Sequence, residues 1–287
     1  MTALILTLAV ALDWLLGAPR LWHPLRGFER LADWLDARLA ARAKFTERGR
    51  GILGLALLLT PPVWVADELA SLPGLWGAGF AFWVLVFTLG HQRLHEQAAT
   101  DSGPESLAAT CARVLENGGV FGVLFWFLVA GAPGALLYRL TATLHARWGA
   151  RVEFGWAATQ LEDMFNVVPA HLAALTYALL GRTRPALECW REQAPARGNS
   201  NSAALLSAGG GALGIRLYDR DGTPLGDGEP PGAEDLPRAL ALLRHGVLLW
   251  LALICFITAL WHGLELSSMP LPEWEQILEF LEKYVFA

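Results

Sequence analysis

The chain reads as long apolar runs separated by charged segments. Six runs approach the ~20 residues needed to cross the hydrocarbon core of a bilayer. They are residues 2–17, 51–65, 73–90, 118–138, 167–181 and 246–262. The second contains Pro61-Pro62, and the fourth contains Gly131, Pro133 and Gly134. A seventh apolar stretch, 203–217, is short and holds Gly209-Gly210-Gly211. It reads as a buried or re-entrant helix packed on its neighbours, because such backbone at membrane depth must be covered by protein. The pattern predicts an all-α fold: a polytopic membrane helical bundle of about five or six transmembrane helices in one domain.

Several polar segments keep a helical period. Residues 26–44 place Phe28, Leu31, Leu35 and Leu39 on one face, with Arg30, Asp33, Arg38 and Arg42 elsewhere; this predicts an amphipathic helix along the cytoplasmic membrane surface. Residues 234–244 open with two acids, as a helix N-terminus favours, and run into the last apolar run. Residues 273–286 line Trp274, Ile277, Leu278, Leu281 and Val285 along one side. Their other side is Glu-rich and repelled by anionic lipid, so this helix is expected on protein, a second subunit included. Asp221-Gly222 within 218–225 is a hairpin turn signal.

Composition agrees with a membrane setting. The chain is 54% hydrophobic and 17% charged, against the ~25% charged of soluble domains. Its thirteen Trp suit the membrane–water interface. The first run lacks a basic leader and a small-residue cleavage site, so it is expected to be a retained helix rather than a signal peptide. A net charge of −5 gives a nucleic-acid partner no electrostatic support. Cys111, Cys189 and Cys255 are odd in number and widely spaced, without a disulfide or metal pattern.

Lys and Arg mark the cytoplasmic side. Eight of the 22 basic residues lie in 20–50 and eight in 182–244, whereas 66–72 has none. Six crossings then place the N-terminus outside. They also place 139–163 outside, with its three Arg. A re-entrant fourth run would return that segment to the cytoplasm, and the Gly-Ala-Pro-Gly break at 131–134 is compatible with one.

Candidate chemistry sits at the ends of the runs. Asp13 interrupts the first, where a carboxylate is costly and calls for a partner or an interfacial position. The turn that follows carries His23 between Arg20 and Arg26, suited to phosphate or to lipid headgroups. His91 and His95 lie four apart with Glu96 beside them, but no third metal ligand is evident. Glu116-Asn117 precedes the fourth run, and Glu162-Asp163 with Asn166 precedes the fifth. Carboxylates at a membrane boundary suit Mg²⁺, although adjacent helix positions do not face one another, so Glu162 and Asp163 need a bend to meet one ion. Asn199-Ser-Asn201-Ser opens the Gly-rich stretch and serves as a helix cap or an anion site. No GxxxxGK[ST] motif is present.

In order, these blocks resemble the CobD/CbiB family. Leu12-Asp13-Trp-Leu-Leu-Gly17-Ala-Pro19 and His23-Pro24-Leu-Arg26 resemble its start. Glu116-Asn117 leading into Leu124-Phe125-Trp126 and Gly131-Ala132-Pro133 resembles its central block. Glu162-Asp163-Met-Phe-Asn166-Val-Val-Pro169-Ala170 resembles its Asp-Asp-x-x-Asn-x-x-Pro-Ala motif, and Asn201 with Gly211-Ala-Leu-Gly-Ile215 its Pro-Asn … Gly-Ala-Leu-Gly block. The resemblance implies a bacterial inner-membrane enzyme of cobalamin synthesis that forms an amide between adenosylcobyric acid, a corrinoid, and aminopropanol or its phosphate, using ATP and Mg²⁺. It implies Asp13, Glu116, Glu162 and Asp163 as metal or phosphate acids, Glu162 and Asp163 on the metal itself. Arg20, His23 and Arg26 would face phosphate, and Asn117, Asn166 and Asn201 would orient substrate.

The chain departs from that pattern in several charged groups. Ala18 replaces an Asp, His145 ends a block that ends in Asp, Glu162 is the first acid of an Asp pair, His171 replaces an Arg, and Leu206 falls on a Glu. Arg93-Leu-His95 and Thr176-Tyr-Ala-Leu-Leu-Gly181 are also similar to AmpE, a membrane protein tied to β-lactamase regulation. That relative implies a second reading, a non-catalytic membrane signalling or scaffold protein.

Overall fold

Helix boundaries follow local chemistry. The computed structural model describes residues 2–16, 24–40, 46–89, 104–116, 119–198, 200–219 and 221–263. Helix α1 (Thr2–Leu16) and amphipathic α2 (Pro24–Ala40) come first, then α3 (Glu47–Ala70) and α4 (Leu75–Leu89). The Thr46 hydroxyl opens α3 by accepting from the Gly49 amide at 3.2 Å, as a capping residue does. Helix α5 (Pro104–Glu116) leads to α6 (Gly119–Trp148), α7 (Trp156–Leu180), α8 (Thr183–Ala196) and α9 (Asn201–Leu213). Strands β1 (Arg216–Tyr218) and β2 (Pro224–Gly226) pair antiparallel around the expected turn. Helix α10 (Asp235–Gly263) ends the described chain, opening on an acid and continuing through the last apolar run without a break.

The result is an all-α membrane helical bundle. By length and composition, 47–70, 107–148, 156–180 and 235–260 are long and apolar enough to cross a membrane. Leu57, Trp64, Trp76, Trp83, Leu253 and Phe256 stay exposed, as lipid-facing side chains do. One large core joins α1, α4, α5, α6, α7, α9 and α10 through residues such as Leu6, Leu85, Leu115, Phe121, Tyr177, Leu206 and Leu243. A second core packs α2 on α3, α6 and α7 through Leu25, Ala32, Leu58, Leu144, Trp148 and Phe154.

The fourth apolar run is not one crossing. Within α6, Ala130 leaves helical geometry and Gly131 takes φ 65°, ψ −154°, a conformation open essentially to glycine alone. The chain reverses there. A Cβ built on Gly122 would lie 2.1 Å from the Tyr138 ring, and one on Gly134 would lie 2.5 Å from the Trp126 carbonyl oxygen. In a straight helix residues 122 and 138 stand about 24 Å apart, so α6 is a helical hairpin.

The same fold-back favours the re-entrant placement of 139–163 over the six-crossing one. The carbonyl of Phe154 lies where a Gly51 Cβ would stand. Arg48 reaches Glu153 at 3.5 Å, and Asp36 receives both Arg151 guanidinium nitrogens at 2.8 and 3.1 Å. Residues 139–163 therefore share one end of the bundle with Asp36, Arg48 and Gly51 rather than lying opposite.

The apolar stretch 203–217 divides. Residues 203–213 are buried throughout in α9, and Gly214, at φ 72°, ends it in the left-handed conformation; Ile215 and Leu217 then enter the hairpin. Its three glycines let Leu115, Gly226 and Pro185 approach the α9 backbone closely. Residues 1, 17–23, 41–45, 90–103, 117–118, 199, 220 and 264–287 lie outside the described residues, and with them the expected C-terminal helix.

Candidate functional site

A cavity of 760 Å³ opens at the end of the bundle shared by α6 and α7. Six pieces of chain build it. The end of α5 contributes Glu116, and the returning arm of α6 contributes Tyr138, Arg139, Ala142 and His145. Helix α7 adds Thr159, Glu162, Asp163 and Asn166, the end of α8 adds Arg197, the start of α9 adds Ser200, Asn201 and Ser202, and the β1–β2 turn adds Asp219 and Asp221. The spacings 138/139/142/145 and 159/162/163/166 each trace one helix face. A face of that width lets adjacent Glu162 and Asp163 border one cavity without the bend the spacing argument required.

Hydrogen bonds fix the polar groups. Tyr138 Oη donates to Asn166 Oδ1 at 2.8 Å, and Asn166 Nδ2 donates to the Glu162 carboxylate one turn earlier. This sets the Asn166 amide and holds one Glu162 oxygen. Asn201 Nδ2 donates to the Asp163 carbonyl at 2.8 Å, tying α9 to α7. Ser200 caps α9 by accepting from the Ala203 amide at 3.2 Å, while the Ser202 hydroxyl donates to Glu116. The His145 ring meets the Thr159 hydroxyl at 3.1 Å.

Arg197 faces two acids. Its Nη2 lies 2.6 Å from both Asp221 Oδ2 and Asp219 Oδ2. The hydrogen bond to Asp221, joined by that to Asp219, holds the Arg197 pKa above its usual value. Asp219 Oδ1 also accepts from the Asp221 and Thr223 amides at 3.0 and 2.8 Å, which makes the turn a self-braced unit.

Five of the residues singled out in the sequence meet here: Glu116, Glu162, Asp163, Asn166 and Asn201. Arg26 does not border the cavity; it is exposed on α2. The basic side chains that do border it are Arg139, Arg197 and His145. Arg20, His23, Asn117 and the His91/His95 pair lie outside the described residues, as does the side chain of Asp13. Sequence reasoning missed Tyr138, Arg139, Thr159, Arg197, Asp219 and Asp221. The available signal was a stripe at helical spacing, Tyr138-Arg139 with Ala142 and His145, polar except at the alanine. Leu206, where the resemblance expects a Glu, is fully buried in α9.

Among the described residues no three His, Cys, Asp or Glu side chains form a ready-made metal group. Magnesium needs none, since it commonly takes one or two protein carboxylates and completes its shell with phosphate oxygens and water. The acids bordering the cavity fit that demand.

Fold and site together define a membrane-embedded helical protein with an acid- and arginine-lined cavity at one end. The model of the CobD/Cbib protein family matches residues 6–104 and 102–243, and the chain belongs to that family. It is 40% identical to the cobalamin biosynthesis protein CobD of Chromobacterium violaceum, over 88% of this chain and 95% of that one. It is 40% identical to the CobD of Stutzerimonas stutzeri, over 86% and 95%, and 29% identical to a probable CobD of Thermococcus kodakarensis, over 88% and 94%. No solved structure matches the chain.

Proposed function

We propose that the protein works in cobalamin biosynthesis as an ATP-dependent amide-forming ligase in a bacterial inner membrane, joining adenosylcobyric acid to aminopropanol or its phosphate. The observation that carries the reading is the meeting of Glu116, Glu162, Asp163, Asn166 and Asn201 in one cavity from three separate helices. These positions are 46 or more residues apart in two of the three pairings of helices, so only the fold joins them.

The reaction has two steps. A corrinoid carboxylate oxygen attacks the γ-phosphorus of ATP, forming an acyl phosphate and releasing ADP. The amine nitrogen then attacks the acyl carbon, forming the C–N bond, expelling inorganic phosphate and giving up a proton. Charge on the transferring phosphoryl group is best met by preorganised cations. Arg139 and Arg197 supply them, and His145, held by Thr159, adds a donor. Glu116, steadied by Ser202, takes the amine proton. Asn201 and Asn166 orient the reactants, and Tyr138 keeps the Asn166 amide from flipping. Bound Mg²⁺ would neutralise phosphate oxygens, with Glu162 and Asp163 as its protein ligands. A cavity of 760 Å³ lies in the ~300–1,000 Å³ range of small-ligand sites. It takes the nucleotide and the reacting side chain while the macrocycle stays at the mouth.

The test is turnover by the purified protein with adenosylcobyric acid, Mg-ATP and aminopropanol phosphate, read by mass spectrometry. Amide product that disappears in Asp163→Asn, with membrane levels and melting unchanged, supports the ligase. A folded, corrinoid-binding sample without product overturns it in favour of a carrier or scaffold.

A further inference from the structure

Helix α2 has no net charge, yet its charges are sorted by face. Its three acids turn toward the end of α6. Arg147 reaches Glu29 at 3.5 Å and also pairs with Asp33, while Arg151 grips Asp36 with both guanidinium nitrogens. Leu25, Ala32 and Leu39 are buried beneath. The outer face keeps Arg26, Arg30 and Arg38, all exposed, around Leu31 and Trp34, which are 50% and 53% exposed. The Arg38 guanidinium lies 4.9 Å from the centre of the Trp34 ring.

We propose that this outer face of α2 lies on the bilayer and binds anionic phospholipid headgroups. Two observations support that occupant. The three acids face Arg147 and Arg151 on the other side of the helix, which leaves the outer face with arginines as its charged groups, so that face complements an anionic surface. A second arginine–tryptophan pair, Arg48 at 4.5 Å over Trp156, lies at the same end of the bundle, joined to α2 through the Arg151–Phe154 corner. Trp beside Arg marks the headgroup level of a membrane protein. There the leucine and indole enter the acyl boundary and the arginines extend toward phosphate. A water-facing helix gains nothing from that arrangement, and a second copy presenting the same face would meet it with like charge.

The test uses the full chain in nanodiscs of phosphatidylcholine and phosphatidylglycerol in equal parts. A benzophenone amino acid replaces Leu31, and lipid adducts are counted by mass spectrometry. Each arginine near an anionic surface favours it roughly fivefold, so glycerol-lipid adducts should exceed choline-lipid adducts by about that factor or more. The same probe at Leu253 of α10, an exposed lipid-facing position, should give equal amounts. The pair Arg30→Gln and Arg38→Gln should bring the Leu31 ratio to that of Leu253 without lowering the yield of folded protein. Equal adducts at Leu31 in the otherwise unaltered chain would overturn the proposal. So would cross-links to a second copy, or no lipid adduct at Leu31 while Leu253 gives them.

Discussion

The ring of Tyr138 occupies the space that a side chain on Gly122 would need. A Cβ there would stand 2.1 Å from Tyr138 Cζ and 2.4 Å from its hydroxyl, and Tyr138 is itself buried at 2% exposure with no room to swing. The contact closes the α6 hairpin and puts Tyr138 over Asn166. Gly122→Ala should therefore cost about 1–3 kcal/mol, the usual penalty of overpacking. Gly79→Ala, in an open site on α4, should stay within about 0.5 kcal/mol. Thermal unfolding of the two variants in the same detergent checks this; equal melting would mean that the hairpin does not depend on the close approach.

The apolar runs were legible because burial and lipid contact both demand them, and hydropathy reports that demand directly. The reversal at Gly131 was not. A window over 118–138 averages across it, and the turn rests on one glycine conformation and two close contacts that appear only after folding. Glu116, Glu162 and Asp163 could be singled out because carboxylates beside apolar runs are expensive and conspicuous. Arg197, Asp219 and Asp221 are ordinary surface residues in sequence. They join the site only because α8 ends where the β1–β2 turn comes back.

Tyr138, Asn166 and Glu162 form a line of two hydrogen bonds ending at the cavity. Removing the phenol hydroxyl leaves the ring filling the hairpin while freeing the Asn166 amide. Tyr138→Phe should cost roughly 0.5–1.5 kcal/mol of stability and leave the fold intact. On the ligase reading, turnover should fall at least about tenfold, with kcat changing more than KM, because misoriented groups near the reacting atoms lose rate. Steady-state kinetics on a sample shown to be folded decides it. Unchanged kcat would remove the line from the mechanism.

The Arg151–Asp36 pair is bidentate but half exposed, with side-chain exposures of 46% and 26%. Water and salt screen such a pair. A double-mutant cycle of Arg151→Ala and Asp36→Ala should return a coupling of at most about 1 kcal/mol. That coupling should shrink in high salt. A much larger, salt-insensitive value would show that α2 is clamped by charge rather than by Leu25, Ala32 and Leu39 in the core beneath it.

Arg197 stands between two loads. Asp219 and Asp221 hold it, and the cavity it borders is otherwise rich in carboxylates. A polyanionic ligand that reached Arg197 would compete with Asp221, the more exposed of the two acids at 77%, while Asp219 stays fixed by the turn's own amides. Two substitutions then act in opposite directions. Arg197→Gln removes a cation and leaves two unopposed carboxylates, so binding of a nucleotide triphosphate should weaken at least about tenfold, a loss typical of a charge-assisted contact. Asp221→Asn releases Arg197 from one competitor and removes a negative charge, so binding should tighten by a fewfold. Calorimetric titration of both variants at matched ionic strength reads the pair. Equal weakening in both would mean that the Arg197–Asp221 contact supports the cavity wall and that the arginine does not meet the ligand.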